Sequence, residues 1–249
     1  MVSQWNSFRR RLTIGILLIS FQLVCFIHFT NAEGMGMAEG RQWEYTVFDN
    51  KELYAYLKFT VAGQEQWQGQ TTWVIKGQFK TCGVMLKGHE SEMRLRVTLD
   101  YRLLYIESRG NPEGSGNAYL FQWKEAKGYV AQYQQGDQVW EEQIPAPAPV
   151  YLLWTDTTPF IIELLLQEGR IGYYQPFSVF MTDGIRTVTP NPKESMKLKT
   201  PRGTEVVDVC EIPEIKTIAY LNVEKRLVAL EDYGTQQMFY PGNWVKKGK

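Results

Sequence analysis

The sequence is short of the side chains on which most catalytic and metal chemistry depends. It has two histidines and three cysteines in 249 residues. His28 and Cys25 lie in an N-terminal segment that reads as removable, which leaves His89, Cys82 and Cys210. A Ser-His-Asp or Cys-His mechanism would therefore have to use His89, and it sits in the polar, turn-like stretch Lys87-Gly88-His89-Glu90-Ser91. Structural zinc wants four Cys or His ligands, so no metal site is expected. There is no G-x-S-x-G, no phosphate-binding glycine loop and no dinucleotide fingerprint, so no cofactor is expected. The chain has no excess charge of either sign, with 27 basic and 27 acidic residues. It has no basic patch, which argues against a nucleic-acid partner. After residue 32 no apolar run is long enough to span a bilayer.

The N-terminal segment has the pattern of a secretory signal. Arg9, Arg10 and Arg11 precede an apolar run from Leu12 to Phe29, and Thr30-Asn31-Ala32 offers small side chains at a cleavage site. Residues 1–32 are read as a signal peptide, 33–40 as a flexible N-terminal segment and 41–249 as a single domain, exported to the periplasm or cell envelope of a bacterium. In an oxidising compartment the pair Cys82 and Cys210 is expected to form a disulfide.

What the chain does have is period-2 patterning. Met93-Arg94-Leu95-Arg96-Val97-Thr98-Leu99 alternates without error. Leu53 to Val61 and Trp73 to Phe79 follow the same rule, with Gly77 as a candidate bulge or bend. Such strands bury one face and wet the other, which implies antiparallel sheet. Turn chemistry separates them, most clearly at Asp183-Gly184, where a tight hairpin turn is expected. The stretch Asn111 to Asn117 reads as a mobile loop. Roughly ten to twelve strands at hairpin spacing suggest a meander.

One stretch breaks the pattern. Trp154-Thr155-Asp156-Thr157-Thr158-Pro159-Phe160-Ile161-Ile162 leads through Glu163-Leu164-Leu165-Leu166 to Gly169. Asp156, Thr157 and Thr158 are candidate caps, Pro159 suits a first turn and Gly169 is the expected stop. A helix apolar all round must be buried on all sides. Only the concave side of a curled sheet would surround it here. The expected fold is mainly β: a curled antiparallel meander, or half-barrel, wrapped around one short apolar helix.

That architecture resembles the half-barrel of bacterial envelope proteins that carry or sense lipids and lipoproteins, the LolA/LolB-like group. The order of elements also resembles an exported bacterial family known as domain of unknown function 3108. The resemblance rests on the Trp154–Ile162 segment, the hairpin from Phe177 to Val188, and the closing strands Lys199–Val207, Ala219–Leu221 and Arg226–Leu230. It implies an exported envelope protein, and the apolar helix set against one-faced strands gives the first functional reading: a non-catalytic protein that binds a hydrophobic small molecule, or a lipidated envelope protein, between helix and sheet. The expected lining is Phe59, Trp73, Leu95, Trp123, Trp154, Phe160 and Leu164. Two other readings stay open. In one, large aromatics simply fill the core, and an adaptor acts through a sheet edge or an aromatic outer face with a protein or glycan partner, with Tyr54 and Tyr56 on that face. In the other, paired carboxylates serve a hydrolase; no local spacing announces them, and Glu141-Glu142 and Glu231-Asp232 read more simply as strand-end surface charges.

Overall fold

The structure is a computed structural model, and it describes residues 36–82, 89–110, 118–125, 127–145, 150–153, 156–181 and 184–243. The segment expected to be a signal peptide, the stretch 111–117 expected to be a mobile loop, Trp154 and Trp244 lie outside the described residues.

Strands β1 (Gln42–Asp49), β2 (Glu52–Trp67), β3 (Gln70–Thr81), β4 (Glu90–Thr98), β5 (Leu103–Gly110), β6 (Ala118–Lys124), β7 (Gly128–Gln135) and β8 (Gln138–Ile144) run as an antiparallel meander. The chain then forms β9 (Val150–Leu152), helix α1 (Thr158–Gln167), β10 (Phe177–Met181) and β11 (Gly184–Val188). It finishes with β12 (Asn191–Thr200), β13 (Gly203–Ile212), β14 (Thr217–Leu221), β15 (Leu227–Asp232) and β16 (Gln237–Pro241). The last strand pairs antiparallel with the first, so β1 lies inside one thirteen-stranded sheet whose edges are β12 and β8. A small sheet, β11-β10-β9, stands apart from it, with β9 parallel to β10. The described residues thus hold sixteen strands, more than the alternation alone suggests.

Local sequence explains the tight connections. Asn50 and Lys51 both take positive φ between the paired Asp49 and Glu52, and Gln68-Gly69 does the same between β2 and β3. Met181 pairs with Gly184, and Asp183 of the expected Asp183-Gly184 turn lies outside the described residues.

Helix α1 forms where its punctuation places it. Thr157 is the cap residue, but its hydroxyl makes no bond to the helix amides. At the other end Gly169 adopts a positive φ of 74°. The Gly169 amide bonds the Leu166 carbonyl at 3.0 Å and the Arg170 amide bonds that of Leu165 at 2.8 Å, the paired closure of a Schellman motif. Every apolar residue from Pro159 to Leu166 is buried.

The register defines the face that receives this helix. Trp43, Phe59, Gly77, Met93, Ser108, Tyr119, Tyr133 and Trp140 pair in succession across β1 to β8 and make one row of the helix-side face. Gly77 is neither bulge nor bend. The register shift lies in β2, between Val61 and Gly63. Gly77 is instead a slot for Phe59, because a Cβ there would stand 2.9 Å from the Phe59 ring and 3.1 Å from the Met93 Cβ. Ahead of β1, the Gly40 amide bonds the Val61 carbonyl at 2.9 Å.

Cys82 and Cys210 are not joined. Cys82 follows the end of β3, whereas Cys210 lies in β13 beneath the carbonyl of Ile171. Six strand steps separate β13 from β3 in the sheet. At about 4.8 Å a step the separation far exceeds the Cα distance a disulfide can bridge. Burial pushes the Cys210 thiol up to about 12.

Candidate functional site

Four of the seven residues expected to line a cavity between helix and sheet, Phe59, Leu95, Phe160 and Leu164, are buried. Phe59 stacks on Phe160 with ring centroids 4.8 Å apart, and Trp43 meets the same ring edge-on at 5.3 Å. Phe59, Leu95 and Phe160 have no exposed surface and Leu164 has 1%. Trp73 and Trp123 are half-buried. Trp73 pairs with Val97, and Trp123 packs edge-on to Tyr129 at 5.1 Å. Trp154, the remaining expected residue, lies outside the described residues. The structure therefore brings Phe59 and Phe160 into direct contact and places Trp123 apart from them on β6.

Acids near the helix are held by tyrosines. Tyr45 on β1 donates to Glu163 at 3.4 Å. Tyr119 on β6 donates to Asp156 at 3.1 Å, and Ser108 on β5 donates to its other oxygen at 3.3 Å. Tyr151 on β9 donates to Glu168, which also pairs with Arg170 at 3.4 Å. Burial pushes the Glu163 carboxyl up to about 7, against the opposing pull of Tyr45 and Arg41. Burial likewise raises Asp156 and Glu168 above the usual carboxylate range. Asp156 thus serves a hydrogen-bond cluster rather than capping the helix. These clasps were missed at the sequence level. The available signal was a single glutamate among six apolar residues, which has to find a partner if the helix is buried.

The opposite face of the sheet is polar and carries the open space. A cavity of about 740 Å³ is lined by Lys58 and Thr60 of β2, Lys76 and Gln78 of β3, Glu92 and Arg94 of β4, and Glu107 and Arg109 of β5. A second, of about 550 Å³, shares Glu107 and Arg109 and continues over Leu120, Gln132, Gln134 and Val139. In the floor of the first, Lys76 lies directly opposite Arg94 across the β3–β4 ladder. Like charges so placed repel. Arg94 also bonds Glu65 at 3.0 Å, and Arg96 bonds the same carboxylate at 2.9 Å. Burial raises the Glu107 carboxyl, but hydrogen bonds from Tyr105 and Arg109 outweigh it and hold the group below the usual range. Tyr54 and Tyr56 do not form an exposed platform. Tyr54 leans on Phe79 at 6.4 Å and both tyrosines are half-buried. His89 packs beside Phe79 at 6.1 Å. Among the described residues no group of three His, Cys, Asp or Glu could hold a metal ion, and no helix is long and apolar enough to cross a membrane.

No family profile and no curated protein matches the chain. Among solved structures, similarity extends to a protein from Bacteroides fragilis described as exported and of YmcC-like fold, with 9% identity and a TM-score of 0.33 over 83% of this chain and 96% of that one. A β-barrel-like protein of domain of unknown function 1849 from Brucella abortus gives 12% identity and a TM-score of 0.34 over 81% and 96%. A protein from Parabacteroides distasonis described as a lipoprotein gives 9% and 0.29 over 83% and 95%.

Proposed function

We propose that this chain is a non-catalytic exported binding module with a solid core, and that it takes an extended, acidic, hydroxyl-rich chain, an acidic polysaccharide, in the groove on the face away from the helix. The observation that carries this is the Lys76–Arg94 pair in the floor of the 740 Å³ cavity. Two cations facing each other across a ladder repel; Glu65 offsets this at Arg94 only, and an anionic group between the two side chains relieves the rest. The amide of Gln78, the hydroxyl of Thr60 and the carboxylate of Glu92 surround them and suit a ligand rich in hydroxyls. The reading of a hydrophobic ligand between helix and sheet rests on the apolar helix, whose Phe160 is already stacked on Phe59. A hydrolase needs one acid with a raised pKa beside the substrate. In this groove Glu107 is shifted the other way, and the raised acids Asp156, Glu163 and Glu168 are committed to the helix.

The test is calorimetric titration with a uronic-acid oligosaccharide, a neutral oligosaccharide of the same length and polyglutamate. The acidic oligosaccharide binds and weakens as salt rises, and the other two bind far less. Lys76→Gln weakens binding while leaving the fold equally or more stable, because it also removes the repulsion with Arg94. Equal affinity for the neutral sugar, or tighter binding of polyglutamate, overturns the proposal.

A further inference from the structure

The two edges of the large sheet differ in how they are protected. An edge strand presents a row of unpaired amide and carbonyl groups, and proteins commonly guard such rows with lysine, proline or a bulge. Strand β12 carries all three guards: Pro192, the lysines 193, 197 and 199, and a register break between Lys193 and Met196. Strand β8 is guarded only by charge of the opposite sign, Glu141 and Glu142. Its sequence, QVWEEQI, has no lysine or proline, and its pairing with β7 is unbroken from Tyr129–Ile144 to Gln135–Gln138. Val139 is 60% exposed and Trp140 47%.

We infer that β8 is a docking edge for strand addition by an extended basic segment of another polypeptide. A strand laid along β8 would complete its outward amide and carbonyl row. Glu141 lies on the groove face and Glu142 on the helix-side face. Both are exposed, and neither has an ion-pair partner among the described residues. Gln132 donates to Glu141 at 2.6 Å. An incoming strand with two adjacent Lys or Arg residues offers one cation to each face, and apolar neighbours then cover Val139 and Trp140. A second copy of this chain fits less well, because it would carry the same two glutamates into the seam.

The inference is independent of the acidic-ligand reading and is tested separately. The probes are a synthetic ten-residue peptide of alternating valine and threonine with a central Arg-Arg pair, and its Glu-Glu counterpart. Amide hydrogen exchange read by NMR is expected to show new protection confined to 138–144 with the Arg-Arg peptide. The variant Glu142→Lys, at an exposed position, is expected to reduce that affinity several-fold, to favour the Glu-Glu peptide, and to leave oligosaccharide binding unchanged. Binding of both peptides with equal affinity, or protection appearing at 58–109 instead of β8, overturns the inference. Self-association through β8 without added peptide also overturns it, in favour of a second copy.

Discussion

The ring of Phe59 lies against that of Phe160 with planes 23° apart, and Gly77 is what gives it room. Strand β2 supplies one ring, the helix supplies the other, and β3 contributes the absence of a side chain. The contact fills the space between β2 and the helix. Two predictions follow from it directly.

Gly77→Ala places a methyl group 2.9 Å from Phe59, so the ring must shift from its stack. Overpacking of this kind costs about 1–3 kcal/mol. Phe160→Ala, which empties the other half of the stack, costs about 3–5 kcal/mol. Urea unfolding measures both. A double variant, Gly77→Ala with Phe59→Leu, is expected to cost less than the sum of the singles, since the smaller side chain accommodates the methyl.

Glu163 makes the fold sensitive to pH. Its carboxyl is raised to about 7 in the folded chain from an ordinary 4.5. A raised carboxyl favours folding while it is protonated. The contribution is whole below about pH 4.5 and is lost as pH rises through 7. Glu163→Gln, which still accepts a bond from Tyr45, is therefore expected to match the parent near pH 4 and exceed it above pH 7, by at most about 3 kcal/mol. Thermal midpoints across that range test this. A variant less stable than the parent at pH 8 would show that the charged form is the one the fold favours.

Tyr119→Phe removes a donor to Asp156 and leaves that of Ser108. The carboxylate then stays buried with fewer partners, at a cost of about 1–3 kcal/mol. The cost is greater at neutral than at acid pH, because protonation of Asp156 removes most of the need for the bond. Adding Asp156→Asn is expected to recover part of the loss at pH 7.

Cys82 and Cys210 are expected to titrate as thiols in denaturant, and a reducing agent is expected to leave the thermal midpoint unchanged. In the native protein Cys210 reacts slowly, because burial raises its pKa and hides it. A midpoint that falls on reduction would indicate a disulfide.

The alternation in β2, β3 and β4 and the punctuation of the helix were legible because each is a local rule. Pro159 and Gly169 mark the ends of the helix, and Met93 to Thr98 shows its buried face residue by residue. The count of strands was not legible. Strands β8 and β12 sit at sheet edges with nearly every side chain exposed, so they lack the alternation that reveals a strand. The pairing of β16 with β1 joins Tyr45 to Pro241, and no local pattern announces a contact at that separation. The disulfide expectation failed for a related reason, since an even number of cysteines says nothing about distance. The groove was hidden because Lys76 and Arg94 each look like an ordinary wet-face residue until the register sets them opposite each other.

The central claim is that the core between helix and sheet is solid. Native mass spectrometry of the protein purified gently from the envelope fraction, followed by organic extraction, tests it most directly. The account predicts the mass of the polypeptide without a lipid-sized adduct, and an empty organic extract. A discrete lipid adduct on the parent protein, retained through purification and lost when Phe160 is enlarged to Trp, would contradict it and return the ligand to the space beside the helix.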